Sequence, residues 1–184
     1  MQEGYPYHLT PRCHDRRFLQ QLNRRKGHEG SVWEHPYHCT IIQNGQHLLN
    51  CLRYVDLNMV RCGAVEHPKS WRWCGHDELV DARKRYRLVD IDRLLQSLEF
   101  GSHVELVRVY AEGVRDQIER RELTRSPHWT EALAVGSEEC VQSVKANYKH
   151  RVKFDLQSSP DGTTWMVKEA TPSYRADSEP ELVL

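Results

Sequence analysis

The most regular pattern of apolar and polar positions in the chain lies over residues 47–61 and predicts an α-helix. Its apolar side chains recur every three or four residues, as on one face of a helix: Leu48, Leu52, Val55 and Met59. A neighbouring stripe is mostly polar and has a tyrosine in the middle: His47, Cys51, Tyr54, Asn58 and Arg61. We expect the first stripe to face the core, Tyr54 to lie at its edge, and Gly63 to end the helix.

Other segments predict a small sheet and further helices around this one. Residues 5–10 alternate and end at Pro11, and residues 37–43 are rich in aromatic and β-branched side chains, so both predict strands. Residues 151–168 predict a hairpin around a Pro-Asp-Gly turn. Helical spacing recurs in three later segments: 90–99, 103–121 and 137–148. The expected fold class is α+β, with a small antiparallel sheet, packed helices and a helical C-terminal extension.

These patterns divide the chain into three parts. Residues 1–80 contain the first strands and the tyrosine helix, and residues 81–150 form the helical extension. Residues 151–184 contain the hairpin and an acidic tail, whose last dozen residues we expect to be disordered because they have few apolar side chains. Residues 70–75 form an aromatic cluster around two tryptophans, and this composition predicts core packing beneath a loop.

Charge is distributed unevenly although the formal net charge is zero. Residues 12–26 carry six Arg and Lys side chains against one Asp, whereas acids predominate after residue 155. Clustered cations favour phosphate contacts, and a solvated surface loop is the alternative explanation.

The remaining composition points to a cytoplasmic protein. No apolar run approaches the roughly 20 residues that cross a bilayer, and the first ten residues lack an export pattern, so we expect no membrane association. Six scattered cysteines without a Cys-x-x-Cys pair indicate reduced thiols rather than a disulfide framework or a zinc ribbon.

An ordered series of motifs resembles the REP-associated tyrosine transposases, which belong to the single-tyrosine branch of the His-hydrophobe-His superfamily. The run N-R-R-x-G matches residues 23–27, and G-x-x-W-E matches residues 30–34. The nucleophile-helix pattern R-Y-V/I-x-L-N-x-V-R-x-G matches residues 53–63. The likeness is nearly continuous over residues 23–75 and extends, more sparsely, to about residue 150.

The resemblance implies cutting and rejoining of single-stranded or hairpin DNA during DNA transposition, through a 5′-phosphotyrosine on Tyr54. It also implies a divalent metal, magnesium or manganese, that offsets charge at the phosphate, with Asn58 as an assisting residue. Expected DNA contacts are Arg24, Arg25, Lys26 and Arg61. Taken without its motif, Tyr54 is better explained as a half-buried helix tyrosine, and the surrounding motif reverses that preference.

One part of the family pattern is missing. Relatives carry a His-x-His metal strand before the N-R-R-x-G run, but here Phe18 is followed after four residues by Asn23, and His-x-His occurs nowhere. We therefore predict that the transposase-like domain over residues 1–80 has an internal deletion near residues 18–23. Its sheet should then be incomplete, and it should lack the metal ligands. Whether the chain is an enzyme stays open. The alternatives are a catalytically dead DNA-binding remnant or regulator, a decayed product with no role, and a chain that works with an oligomeric or full-length transposase partner.

Overall fold

A computed structural model describes residues 5–10, 38–80, 88–147, 154–159 and 162–169. The described strands are β1 (Tyr7–Thr10), β2 (His38–Ile42), β3 (Ala134–Gly136), β4 (Phe154–Ser158) and β5 (Trp165–Glu169). The described helices are α1 (Gln46–Asp56), α2 (Asn58–Arg61), α3 (His76–Val80), α4 (Ile91–Leu98), α5 (His103–Glu119), α6 (His128–Glu131) and α7 (Glu138–Asn147). A 3-10 turn spans Pro68–Ser70. Together they confirm the α+β class.

The strands form one sheet in the order β1-β2-β3-β5-β4. Three neighbouring pairs are antiparallel, but β2 and β3 are parallel, so the prediction of a purely antiparallel sheet is wrong for that pair. Parallel neighbours need a long crossover connection, which here contains α1 to α6. The sheet draws strands from all three parts into which the sequence patterns divided the chain.

Apolar side chains cover both faces of this sheet. On one face, Ile42 and Val135 belong to the larger core, which contains α1, α4 and α5. On the other face, Ile41 and Ala134 pack with Val141 of α7. This division follows from the strand pleat, because successive side chains point to opposite faces.

The tyrosine helix is confirmed, with a different buried face. It continues through a slight break at Leu57 and ends in the predicted glycine, whose φ of 72° allows the Ala64 amide to bond the Met59 carbonyl at 3.0 Å. Val55 is 39% exposed, so its prediction as a core residue is wrong, and Leu52 is half-buried. The buried positions of α1 are Leu48, Leu49, Cys51, Arg53, Tyr54 and Asp56. Arg53 and Asp56 can be buried because neighbouring elements bond them, which apolar spacing alone does not reveal.

The aromatic segment also differs from its prediction. Trp73 is 70% exposed and Trp71 half-buried, so residues 70–75 do not pack into the core. The segment closes on itself through backbone hydrogen bonds, and these bonds leave the Trp73 ring outside.

Several predictions fall on parts of the chain outside the described residues. They are the basic cluster at 12–26, the junction at 18–23 and the acidic tail. In the described part of the chain, no helix has the length and apolar character needed to cross a membrane. The five described cysteines, Cys39, Cys51, Cys62, Cys74 and Cys140, are all free thiols.

Candidate functional site

Tyr54 is buried, whereas the sequence pattern predicted that it would lie at the edge of the buried face of its helix. Its side chain is 7% exposed, and its ring is 6.3 Å from the Trp129 ring, centroid to centroid. The Arg61 guanidinium carbon lies 4.3 Å from the Tyr54 ring centroid, within the range of a cation–π interaction. Within the described residues, the Tyr54 hydroxyl makes no hydrogen bond.

Arg61 directs its guanidinium donors into the protein. Its Nε donates to the Leu123 carbonyl at 3.0 Å, and one terminal nitrogen donates to Asn58 Oδ1 at 2.6 Å. The other terminal nitrogen approaches the Tyr54 carbonyl at 3.5 Å. Burial lowers the pKa of Arg61, and the nearby Tyr54 and Cys62 oppose that change. These contacts position Tyr54 and α2, which is a different task from meeting a phosphate.

The described residues do not fit the divalent metal that the resemblance implies. Asn58 accepts a hydrogen bond from the Arg61 guanidinium on its side-chain oxygen, and this positive charge disfavours a metal cation at the same oxygen. Within the described ranges no three His, Cys, Asp or Glu side chains form a group that could hold an ion.

Two histidines come together that sequence reasoning had not paired. Antiparallel pairing sets His8 opposite Thr40 and Thr10 opposite His38, so His8 and His38 share one face of β1 and β2. His8 Nδ1 lies 2.7 Å from the Trp129 carbonyl and His38 Nε2 lies 2.9 Å from the Ala132 carbonyl. A ring nitrogen that bonds a carbonyl must carry a proton, so both imidazoles act as donors that hold α6 on the sheet. Only the strand register could reveal this pair.

A second polar group lies on the other flank of α1. Asp56 accepts hydrogen bonds from the buried Tyr110 hydroxyl and, at 3.2 Å, from the Gly75 amide. Burial raises the pKa of Asp56, and these two hydrogen bonds oppose that rise. Burial and the Asp56 carboxylate raise the pKa of Tyr110 far above its usual range. Asp56 and Tyr110 therefore both keep their protons to a higher pH in the folded protein than they would in water.

Arg53 completes this flank. It is 8% exposed and donates to the Val109 carbonyl at 2.7 Å and, weakly, to Asn50 at 3.4 Å. Its Nε is buried without a hydrogen-bond partner. The guanidinium lies against Gly113, where an added Cβ would be 2.3 Å from the Arg53 guanidinium carbon. Burial lowers the pKa of Arg53, while Tyr110 and Asp116 oppose that change.

His76 is also buried, at 4% exposure, and its Nδ1 has no hydrogen-bond partner. Its ring contacts the rings of His67 and Tyr110, at centroid distances of 5.3 and 5.8 Å. Burial and the neighbouring His67 lower the pKa of His76, so the neutral imidazole is favoured in the folded protein.

The residues that the sequence resemblance singled out therefore have unequal outcomes. Tyr54, Asn58 and Arg61 form one contact group, whereas Arg24, Arg25 and Lys26 lie outside the described residues. Compared with models of known protein families, with curated proteins and with solved structures, the chain gives no match in any of the three comparisons.

Proposed function

We propose that the chain is a transposase-like DNA-binding protein, related to the REP-associated tyrosine transposases, and that by itself it binds single-stranded or hairpin DNA without cutting it. Support comes from the ordered motifs over residues 23–75, which match that family in sequence and spacing. Within them, the contact group of Tyr54, Asn58 and Arg61 has the helical spacing that the motif requires.

The burial of Tyr54 carries the second half of the proposal. A nucleophile must approach the reacting phosphorus to about 3–3.5 Å in line with the leaving group. With 7% of its surface exposed and a guanidinium against its ring, Tyr54 has little room for a DNA strand. Because the described residues also do not fit the metal, no cutting step is assigned to this chain alone.

Cutting by a composite site is the second candidate function. It is favoured by the match of Tyr54, Asn58 and Arg61 to the nucleophile helix. In that case an oligomeric or full-length transposase partner supplies the His-x-His strand and its magnesium or manganese ion, and this chain contributes Tyr54.

DNA binding is tested by fluorescence anisotropy with a labelled hairpin, a single strand and a duplex. We expect binding to the first two that weakens steeply between about 50 and 200 mM salt, since phosphate contacts release counterions. Changing Arg24, Arg25 and Lys26 to Ala should reduce the logarithmic salt slope by up to about one for each lost contact.

A matched triple variant removes three exposed cations elsewhere: Arg108, Arg115 and Lys145 changed to Ala. It should retain the wild-type slope, because its cations lie on α5 and α7. Absence of binding by the wild-type protein at low salt would refute the proposal. Equal salt slopes for the two triple variants would show that Arg24, Arg25 and Lys26 make no specific phosphate contacts.

Cutting is tested by incubating the full chain with single-stranded DNA and magnesium or manganese, followed by denaturing electrophoresis. We expect no covalent protein–DNA adduct above background. An adduct from the lone protein that disappears in Tyr54→Phe would contradict this expectation. Adduct formed only after addition of a full-length relative, and mapped to Tyr54, would favour the composite site.

A further inference from the structure

The loop over residues 67–75, here called the Trp73 loop, is a turn held by its own hydrogen bonds. The Trp71 amide donates to the Pro68 carbonyl at 2.8 Å, and the Cys74 amide donates to the Trp71 carbonyl at 3.2 Å. The Cys74 thiol reaches the Pro68 carbonyl at 3.3 Å. At its end, the Gly75 amide is bonded to the buried carboxyl of Asp56. The loop is thus fixed to the core although it lies at the surface.

This loop presents a large aromatic side chain to solvent. Trp73 is 70% exposed, and leaving so large an apolar surface in water gives up much of the stabilisation that burial provides. The Arg72 guanidinium carbon lies 4.0 Å from the Trp73 ring centroid, so a cation stacks on the ring. Backbone bonds and stacking together hold the indole in place without burying it.

Charge around the ring favours an anionic ligand. Lys69 and Arg72 are exposed and lie within four positions of Trp73. The acidic groups within seven positions of Trp73 are Glu66, Asp77 and Glu78. Asp77 is half-buried, and Glu78 is buried and accepts hydrogen bonds from the Leu88 and Val89 amides. A guanidinium stacked on a ring keeps its N–H edges free for phosphate oxygens.

We propose that Trp73 is a stacking site for a base of single-stranded nucleic acid, with Arg72 and Lys69 contacting the neighbouring phosphates. An exposed aromatic ring flanked by cations is the arrangement that binds single strands with little sequence preference, since every base has a π face. The site is separate from the Tyr54 contact group and rests on the proposed DNA-binding function.

The test compares binding of the full chain to a labelled oligothymidylate strand and to an abasic strand of equal length. For Trp73→Ala we expect the Kd for oligothymidylate to rise by about five-fold to about a hundred-fold, with little change for the abasic strand. Trp73→Phe keeps a ring and should retain most of the affinity. Val104→Ala, another exposed apolar position at 79% exposure, serves as the matched control and should bind as wild type.

The outcomes separate this site from the proposed function. Equal Kd values for Trp73→Ala and wild type would overturn the stacking site and leave DNA binding intact, as would an equal loss on the abasic strand. No binding of wild type to any strand at low salt would overturn both. Trp73 fluorescence, measured as wild type minus Trp73→Phe, should be quenched by oligothymidylate. Fluorescence that responds only to protein concentration would assign Trp73 to a contact between copies and overturn the proposal.

Discussion

Two arginines on the tyrosine helix segment show how one residue type is held in different ways. Arg53 is 8% exposed, has an unpartnered Nε and lies against the backbone of Gly113. Arg61 is half-buried, stacks on the Tyr54 ring and bonds the Leu123 carbonyl. We call the contacts of Arg53, Asp56 and Tyr110 the Arg53 flank, and the contacts of Arg61 with Tyr54 and Asn58 the Arg61 flank. The Arg53 flank depends on a close fit between α1 and α5, whereas the Arg61 flank depends on contacts that tolerate small shifts. We therefore expect stability to be concentrated on the Arg53 flank.

The largest expected effect comes from Asp56, the acceptor on the Arg53 flank. Asp56→Ala leaves the fully buried Tyr110 hydroxyl without its acceptor, and we expect a loss of about 2–3 kcal/mol in the free energy of unfolding. Asp56→Asn retains an acceptor oxygen and should lose less. Urea denaturation of both variants measures the difference. Equal stability of Asp56→Ala and wild type would contradict the expectation that the Arg53 flank contributes most of the stability.

The same pair gives a pH dependence. Because the pKa of Asp56 is raised above its ordinary 3.8 in the folded protein, the native state keeps a proton that the unfolded chain loses. This contribution to stability is present below pH 3.8 and is lost as pH rises through the raised pKa. The stability of wild type relative to Asp56→Asn should fall with rising pH across that window. A stability difference that stays constant or grows with pH would contradict a raised pKa of Asp56 in the folded protein.

A smaller effect is expected at Gly113. Gly113→Ala places a Cβ against the buried Arg53 guanidinium, and overpacking of this kind costs about 1–3 kcal/mol. Because the clash involves Arg53 itself, Arg53→Ala should relieve it, so the double variant should be more stable than the sum of the single changes predicts. Gly101→Ala is a suitable control, since its nearest atom to an added Cβ is a Glu105 carboxylate oxygen at 3.9 Å. If the costs of Gly113→Ala and Arg53→Ala simply add in the double variant, the clash between the new Cβ and the Arg53 guanidinium is refuted.

The smallest effects belong to the Arg61 flank. Arg61→Leu should cost about 1–2 kcal/mol through loss of the cation–π contact and its hydrogen bonds. Tyr54→Phe keeps the ring beneath Arg61 and should change the free energy of unfolding by less than about 0.5 kcal/mol. Thermal or urea unfolding of the two variants tests this order. A large cost for Tyr54→Phe would mean that its hydroxyl has a structural role.

Local features of the fold could be predicted from sequence because they depend on residues near one another. The strands at 5–10 and 37–43, the hairpin of β4 and β5, and the stop at Gly63 all follow from turn chemistry and periodicity. The buried face of α1 could not be predicted, since Arg53 and Asp56 find their partners on α5 and in the Trp73 loop. Pairing of His8 with His38 and exposure of Trp73 likewise depend on long-range placement, which spacing does not encode.

The parallel pairing of β2 with β3 has a consequence for how the chain folds. Thr40 and Ala132, which bond across this junction, are 92 positions apart. Contacts of such high sequence separation form late, because loop-closure entropy is lost before they can stabilise the fold. During synthesis from the N-terminus, the β3-facing edge of β2 therefore stays unpaired until residue 134 has emerged. Over that interval the nascent chain exposes a strand edge to other chains, which makes aggregation a kinetic competitor of folding.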